Sequence, residues 1–302
     1  MGLYRQPNTY SCGPFALKHA LVALGRLADE QAIGKVANPH WWGGTDEVKL
    51  ARAARAFGCD LPLVRRTDED RAWYSLTRAL DSELPVILCV DDWMHWLTVA
   101  RHEGGRFVVI DSNEEPVLTV MTWPQLRNRW KYVEEGEPRA LYDLHVVKPR
   151  ERAPARARFS VARAQFLRRP ENKELAEHWD EYLGDLMEIC RPRSPRITDA
   201  LSMAEFLRRH QSLLVSRTRF WHGQIEREEV GRILRNFRFV AETYGLVIPA
   251  AGQRRALVDL GMLLAMWSAS ARGIGDMFGA AAERTRAERR ARGHGYRRPR
   301  RR

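Results

Sequence analysis

The hydrophobic period of the chain changes twice, and those changes restrict its fold more than any other feature. Up to residue 80, apolar side chains recur at three- and four-residue spacing, the period of helices that bury one face. Phe15, Ala16, Ala20, Leu21 and Leu24 form one stripe, closed by Gly25. Val48, Leu50, Ala51, Ala54 and Phe57 form a second over residues 46–57, with Thr45 as the expected N-cap and Gly58 beyond its end. A third, shorter helix is expected over 71–80. The period then drops to that of strands. Residues 86–90, 96–100, 107–110, 117–121 and 141–147 are short, rich in Val, Ile and Thr, and separated by turns. A short helix is expected among them at 123–130. Helices first and an antiparallel sheet second describe an α+β domain.

Beyond residue 148 the pattern turns helical again. Residues 149–158 read as a polar linker. Leu175, Trp179, Tyr182, Leu183, Leu186 and Met187 lie on one stripe. Ser202 and Glu205 form a capping-box pattern before a helix at 204–215. Ile225, Ile233, Leu234, Phe237, Val240, Ala241 and Tyr244 lie on another stripe, and 257–267 is apolar nearly all round, as a central bundle helix would be. The expected organisation is therefore an α+β domain at 1–148, a linker at 149–158, an all-α helical domain at 159–285 and a basic, disordered tail at 286–302.

The chemistry concentrates in the first domain. Cys12 opens the first helical stripe, with Gly13 and Pro14 behind it, and Pro suits a first helical turn. Unpaired N–H groups and the helix dipole make such a position electropositive, which favours the nucleophilic thiolate. Six residues earlier, the amide of Gln6 is placed to join the Cys12 N–H in holding the oxyanion of a tetrahedral intermediate. A cysteine nucleophile needs a histidine oriented by an acid or amide. His95 opens one apolar run, Gly104 and Gly105 make a turn, and Asp111 closes the returning run. Such a hairpin brings its two ends together, so His95 could take the Cys12 proton while Asp111 fixes the tautomer. His19 is two turns along the Cys12 helix, ~10 Å away at 1.5 Å per residue, too far for that role.

Gln-x5-Cys-Gly-Pro at 6–14, the following helix, Gly-Gly-Thr at 43–45, His-Trp-Leu-Thr-Val-Ala at 95–100 and Val-Val-Ile-Asp at 108–111 together resemble the C39 family of papain-like cysteine peptidases. The resemblance covers roughly residues 1–148. It implies a papain-like fold and cleavage of bacterial, bacteriocin-type leader peptides after a Gly-Gly pair; the reaction expected of this chain is cleavage of a peptide bond after Gly-Gly or small residues. It implies Gln6 as oxyanion residue, Cys12 as nucleophile, His95 as base and Asp111 as orienting acid. Ser11 stands where the family commonly has Asp, and Ser112 where it often has Pro. Trp41 and Trp42, beside Gly43 and Gly44, would line a peptide subsite or else pack in the core, and His40 would border the groove or else stand as an ordinary loop residue. The chemistry needs no cofactor, and the substrate would be a peptide or protein.

Composition sets the compartment and the second partner. The four cysteines, Cys12, Cys59, Cys89 and Cys190, include no C-x-x-C pair, so neither a zinc ribbon nor a thioredoxin motif is present. A nucleophilic Cys12 must stay free, and Cys89 and Cys190 read as buried small hydrophobes. This points to reducing cytoplasm. No secretory signal is visible after the start, and 256–271 is too short to span a bilayer. After residue 282, ten arginines face two glutamates, which accounts for +8 of the net +12. That tail fits a polyanion or an acidic partner. With Tyr296 alone for stacking, it is a poor sequence-specific reader. Three other functions are compatible with the same residues: a transpeptidase or ligase resolving the acyl-enzyme with an amine, a peptide-binding module, and a nucleic-acid-binding protein with a secondary thiol site.

Overall fold

The structure is a computed structural model that describes residues 2–151, 157–193, 197–222 and 226–270. The chain divides into two compact units, one formed by 1–205 with 236–250 and the other by 206–235 with the residues from 251 onward.

The first unit begins with three helices, α1 (Cys12–Ala23), α2 (Glu30–Ala37) and α3 (Glu47–Ala56). Strands β1 (Cys59–Asp60) and β2 (Leu63–Arg66) follow, then α4 (Glu69–Asp81). Next come β3 (Val86–Val90), β4 (His95–Glu103), β5 (Arg106–Ile110), β6 (Leu118–Thr122), α5 (Trp123–Trp130), β7 (Tyr132–Val133), β8 (Ala140–Val146) and β9 (Lys148–Pro149). The main sheet is antiparallel in the order β2-β8-β3-β4-β5-β6, with β7 paired to β8. Strands β1 and β9 pair separately. The β4–β5 turn is Gly104-Gly105, both at positive φ, as a two-residue hairpin of this twist requires.

Strand alternation explains how the sheet takes helices on both faces. On β3, Ile87 and Cys89 join a core with Ala16, Leu17, Ala20 and Leu21 of α1, Ile33 of α2 and Leu50 and Ala54 of α3. The intervening Val86, Leu88 and Val90 join the opposite core with Leu76 and Leu80 of α4 and Leu126 and Trp130 of α5. A slip of one residue would exchange the two sets. Thr98 of β4 ties α1 to the sheet by donating its hydroxyl to the Ala16 carbonyl at 2.7 Å.

The helices and strands differ from the sequence reading in a few places, each with a local cause. Asp46 rather than Thr45 caps α3, its carboxylate accepting the Lys49 N–H at 2.8 Å. Thr45 is buried and its carbonyl instead accepts the Trp96 indole N–H at 2.9 Å. Helix α2 was hidden by Gly34 within a short stripe, and β2 by its two arginines. The 123–130 helix is present with those bounds.

The rest of the first unit holds α6 (Val161–Leu167), α7 (Lys173–Glu177), α8 (Trp179–Ile189), β10 (Arg191–Pro192) and β11 (Ala200–Ser202). Helices α9 (Met203–His222) and α10 (Arg227–Tyr244) each continue from one unit into the other, and β12 (Leu246–Pro249) returns to the first. A wholly helical reading of this half misses the antiparallel sheet β10-β12-β11. Leu246, Val247 and Ile248 follow Gly245 and are too few to show a strand period beside long helical stripes. Ser202 does cap α9, its hydroxyl accepting the Glu205 N–H at 3.2 Å. In the second unit α11 (Gln253–Ser270) is not encased, because Val258, Met262 and Met266 are exposed along one face. The linker core at 152–156 and the arginine-rich tail lie outside the described residues. Among the described residues, no helix is long and apolar enough to cross a membrane.

Candidate active site

Cys12 is the first residue of α1, where backbone N–H groups have no intrahelical acceptor. The chain is bent into that position by Asn8, whose side-chain oxygen accepts the Tyr10 N–H at 3.2 Å and the Ser11 hydroxyl. Gly13 is needed at the next position. A Cβ there would lie 2.8 Å from Cβ of Thr45, which packs against the start of the helix.

His95 begins β4 and Asp111 follows the end of β5, so the hairpin sets their separation. His95 Nε2 lies 2.7 Å from Asp111 Oδ1, both side chains being buried. Nε2 is committed to the carboxylate, and Nδ1 lies 3.3 Å from Asn113 Nδ2. Burial disfavours the imidazolium, but hydrogen bonds to Asp111 and to Cys12 outweigh it and push His95 up to about 9. Burial likewise opposes ionisation of Asp111, yet His95, the Asn113 N–H and Arg129 hold its carboxyl down at about 2. The arrangement therefore stabilises an imidazolium facing a carboxylate, with a thiol as third member.

A cleft of about 710 Å³ opens over these groups. Cys12, His95, Asn113, Cys89 and Trp96 lie in it, and Trp41, Trp42, Gly43 and Gly44 line its side. Trp41 and Trp42 are 74% and 71% exposed, which excludes the core-packing role. They hold each other edge to face at 5.1 Å, and Trp42 stacks on His40 at 4.9 Å. Met94, 81% exposed, stands beside His95. Cys12 itself is only 3% exposed and His95 5%.

The structure brings Cys12, His95 and Asp111 together, and places the two tryptophans and two glycines along the same cleft. Gln6 stands beside this set without lining the cleft. Its backbone N–H donates to the Ser112 carbonyl at 3.0 Å, its side-chain oxygen accepts the Ser112 hydroxyl, and its Nε2 donates to the Asn8 carbonyl at 2.7 Å. Two contributors escaped the sequence reading. Asn113 was discoverable as an amide two residues after the acid. Arg129 donates to Asp111 Oδ2 at 2.9 Å from the far end of α5, a pairing with no sequence signal. The other cysteines are buried and unbridged. Burial raises all three thiols, Cys190 to about 12.

No protein-family model matches the chain, and no curated protein matches it. Among solved structures, the chain is similar to the peptidase domain of Streptococcus ComA, a bifunctional ABC transporter involved in a quorum-sensing pathway. That likeness has 17% identity and a TM-score of 0.37, and covers 49% of this chain and 98% of that one. It is also similar to a double-glycine-motif protease from an AMS/PCAT transporter in complex with its leader peptide. There the identity is 13% and the TM-score 0.38, over 49% of this chain and 90% of that one. Both likenesses cover about half of this chain.

Proposed function

We propose that the chain is a cysteine peptidase that cleaves a peptide bond after Gly-Gly or another pair of small residues. The observation that carries this reading is the buried His95, bonded at Nε2 to a fully buried carboxylate and interacting with a thiol that starts a helix. A purely structural histidine does not require a cysteine at a helix N-terminus and an open cleft above both.

Cys12 thiolate attacks the scissile carbonyl, and its carbonyl oxygen takes the negative charge. The Cys12 N–H, with Gln6 once its amide turns from Asn8, donates to that oxyanion. The His95 imidazolium, held by Asp111, gives its proton to the leaving amine, leaving a thioester on Cys12. Neutral His95 then takes a proton from water as it attacks the thioester, and the free acid and thiolate are released. The deep recession of Cys12 and His95 favours an extended chain with small side chains at the reacting bond. The exposed Trp41, Trp42 and Met94 offer apolar surface for flanking residues.

The test is a peptide library with Gly-Gly, Ala-Gly and bulky pairs at a fixed position, followed by mass spectrometry. Cleavage after the small pairs by the full chain, lost in Cys12→Ala, is expected. Absence of cleavage in every peptide, or unchanged cleavage by Cys12→Ala, would overturn the reading.

A further inference from the structure

Arg129 is half-buried near the end of α5, and its guanidinium joins two segments that are distant in sequence. Nη1 donates to Asp111 Oδ2 at 2.9 Å, on the carboxylate edge opposite His95. Nε and Nη2 donate to the two oxygens of Asp91 at 2.9 and 2.6 Å, a fork-to-fork pair. The Arg129 carbonyl accepts the Asp91 N–H at 2.7 Å. Asp91 is therefore gripped through both side chain and backbone.

The grip falls on an unusual stretch. Asp91, Asp92 and Trp93 all have left-handed backbones, with φ of 56°, 56° and 60°. L-residues disfavour that region, and three in succession persist only where surroundings enforce them. Besides Arg129, Trp93 is held by stacking on Tyr132 at 3.9 Å, and the Met94 N–H donates to the Asp91 carbonyl at 3.1 Å. This turn delivers the chain into β4 at His95. Arg129 thus holds the lead-in to His95 with one edge and the carboxylate that orients His95 with another.

We propose that Arg129 is the positioning residue of the site, setting the His95–Asp111 geometry by bridging Asp111 to the left-handed turn through Asp91. The proposal rests on the peptidase reading for its kinetic consequence, though not for its effect on the thiol. Arg129 does not line the cleft, so it acts through other residues and leaves substrate contacts alone. The role requires arginine. A lysine ammonium can satisfy one carboxylate, whereas the planar guanidinium satisfies Asp91 with Nε and Nη2 and keeps Nη1 for Asp111. The two acids are coupled: removing Asp91 frees the guanidinium to rotate away from Asp111.

The experiment compares the full chain with its Arg129→Lys, Arg129→Gln, Asp91→Asn and Arg129→Gln/Asp91→Asn variants, each checked for folding by circular dichroism. Two readouts are taken at pH 7: the rate at which iodoacetamide alkylates Cys12, followed by peptide mapping, and kcat and KM on a peptide that the wild type cleaves. Arg129→Gln is expected to lower kcat about 100-fold, the scale of a small misplacement of reacting groups, with KM nearly unchanged. Cys12 alkylation should slow about tenfold, Arg129→Lys should recover part of both losses, and Asp91→Asn should reproduce most of them. The double variant should be little worse than Arg129→Gln, since both changes break one bridge. A folded Arg129→Gln with wild-type kcat and alkylation rate would overturn the proposal. So would a loss confined to KM or additive effects in the double variant. If the wild type cleaves no peptide, the peptidase reading fails by itself, and the alkylation rates still decide the role of Arg129. If Arg129→Gln does not fold, Arg129→Lys and Asp91→Asn give the same comparison.

Discussion

Replacing Asp111 by asparagine separates charge from shape at the centre of the site. In the native chain Oδ1 accepts from His95 at 2.7 Å and from the Asn113 N–H at 3.0 Å, while Oδ2 accepts from Arg129 at 2.9 Å. In Asp111→Asn, an amide that keeps its oxygen toward His95 must aim its NH₂ at the Arg129 guanidinium, donor against donor. Turning it over puts the NH₂ against His95 and locks the wrong tautomer. Either way the carboxylate that favours the imidazolium is gone. His95 then falls from about 9 toward its ordinary value of 6.5. At ~1.4 kcal/mol per tenfold change in proton affinity, a full return to that value removes about 3–4 kcal/mol of preference for the charged ring. Two influences remain in the variant: burial, which lowers the ring's proton affinity, and Cys12, which raises it. The assay is the pH profile of kcat/KM. In the wild type, activity should fall above about pH 9 as His95 loses the proton it must give to the leaving amine. In Asp111→Asn that alkaline limb should move down toward about pH 7, near the unperturbed histidine value. Residual kcat should be lower by roughly 10²-fold, within the usual range for losing general acid-base assistance. An alkaline limb that stays near 9 in the variant would refute the claim that Asp111 sets the protonation of His95.

The same geometry sets the sign of three further effects, and a fourth prediction concerns the tail. His95→Ala should remove turnover while the chain keeps its circular dichroism spectrum, since the sheet's cores do not depend on that ring. Gln6→Ala should lower kcat by about 10²–10³, the loss expected for one oxyanion donor, and an unchanged kcat would remove Gln6 from that role. Gly13→Ala should destabilise the chain by about 1–3 kcal/mol in chemical denaturation, because its Cβ meets Thr45 at 2.8 Å and the start of α1 must shift. Deleting residues 284–302 should leave cleavage of a short uncharged peptide unchanged and abolish any salt-sensitive binding to polyanions.

What the sequence showed, and what it hid, follows the range of the interactions involved. The α1 stripe, the 123–130 helix and the His95–Asp111 hairpin rest on local patterns: period, Pro14 at a helix start, and paired glycines in a turn. They were legible for that reason. The exposure of Trp41 and Trp42 was not, because two adjacent tryptophans suit a core as well as a groove. Asp91 and Asp92 carry no local signal beyond that of a polar turn. Asp91 is instead a partner of Arg129, thirty-eight residues away. One arginine among the chain's fifty basic residues carries no mark of that pairing. The small β10-β12-β11 sheet was concealed by its shortness, and the left-handed run at 91–93 by side chains that give no glycine signal.

The central claim is that Cys12, and no other cysteine, is an activated nucleophile partnered by His95. Limiting iodoacetamide on the folded full chain at pH 7, followed by peptide mapping, tests this most directly. All four cysteines are buried, so exposure alone does not select among them. The account predicts modification at Cys12 first, sharply slowed in His95→Ala, with Cys59, Cys89 and Cys190 unlabelled until the chain is denatured. Labelling of Cys89 or Cys190 ahead of Cys12, or a Cys12 rate indifferent to His95→Ala, would contradict it.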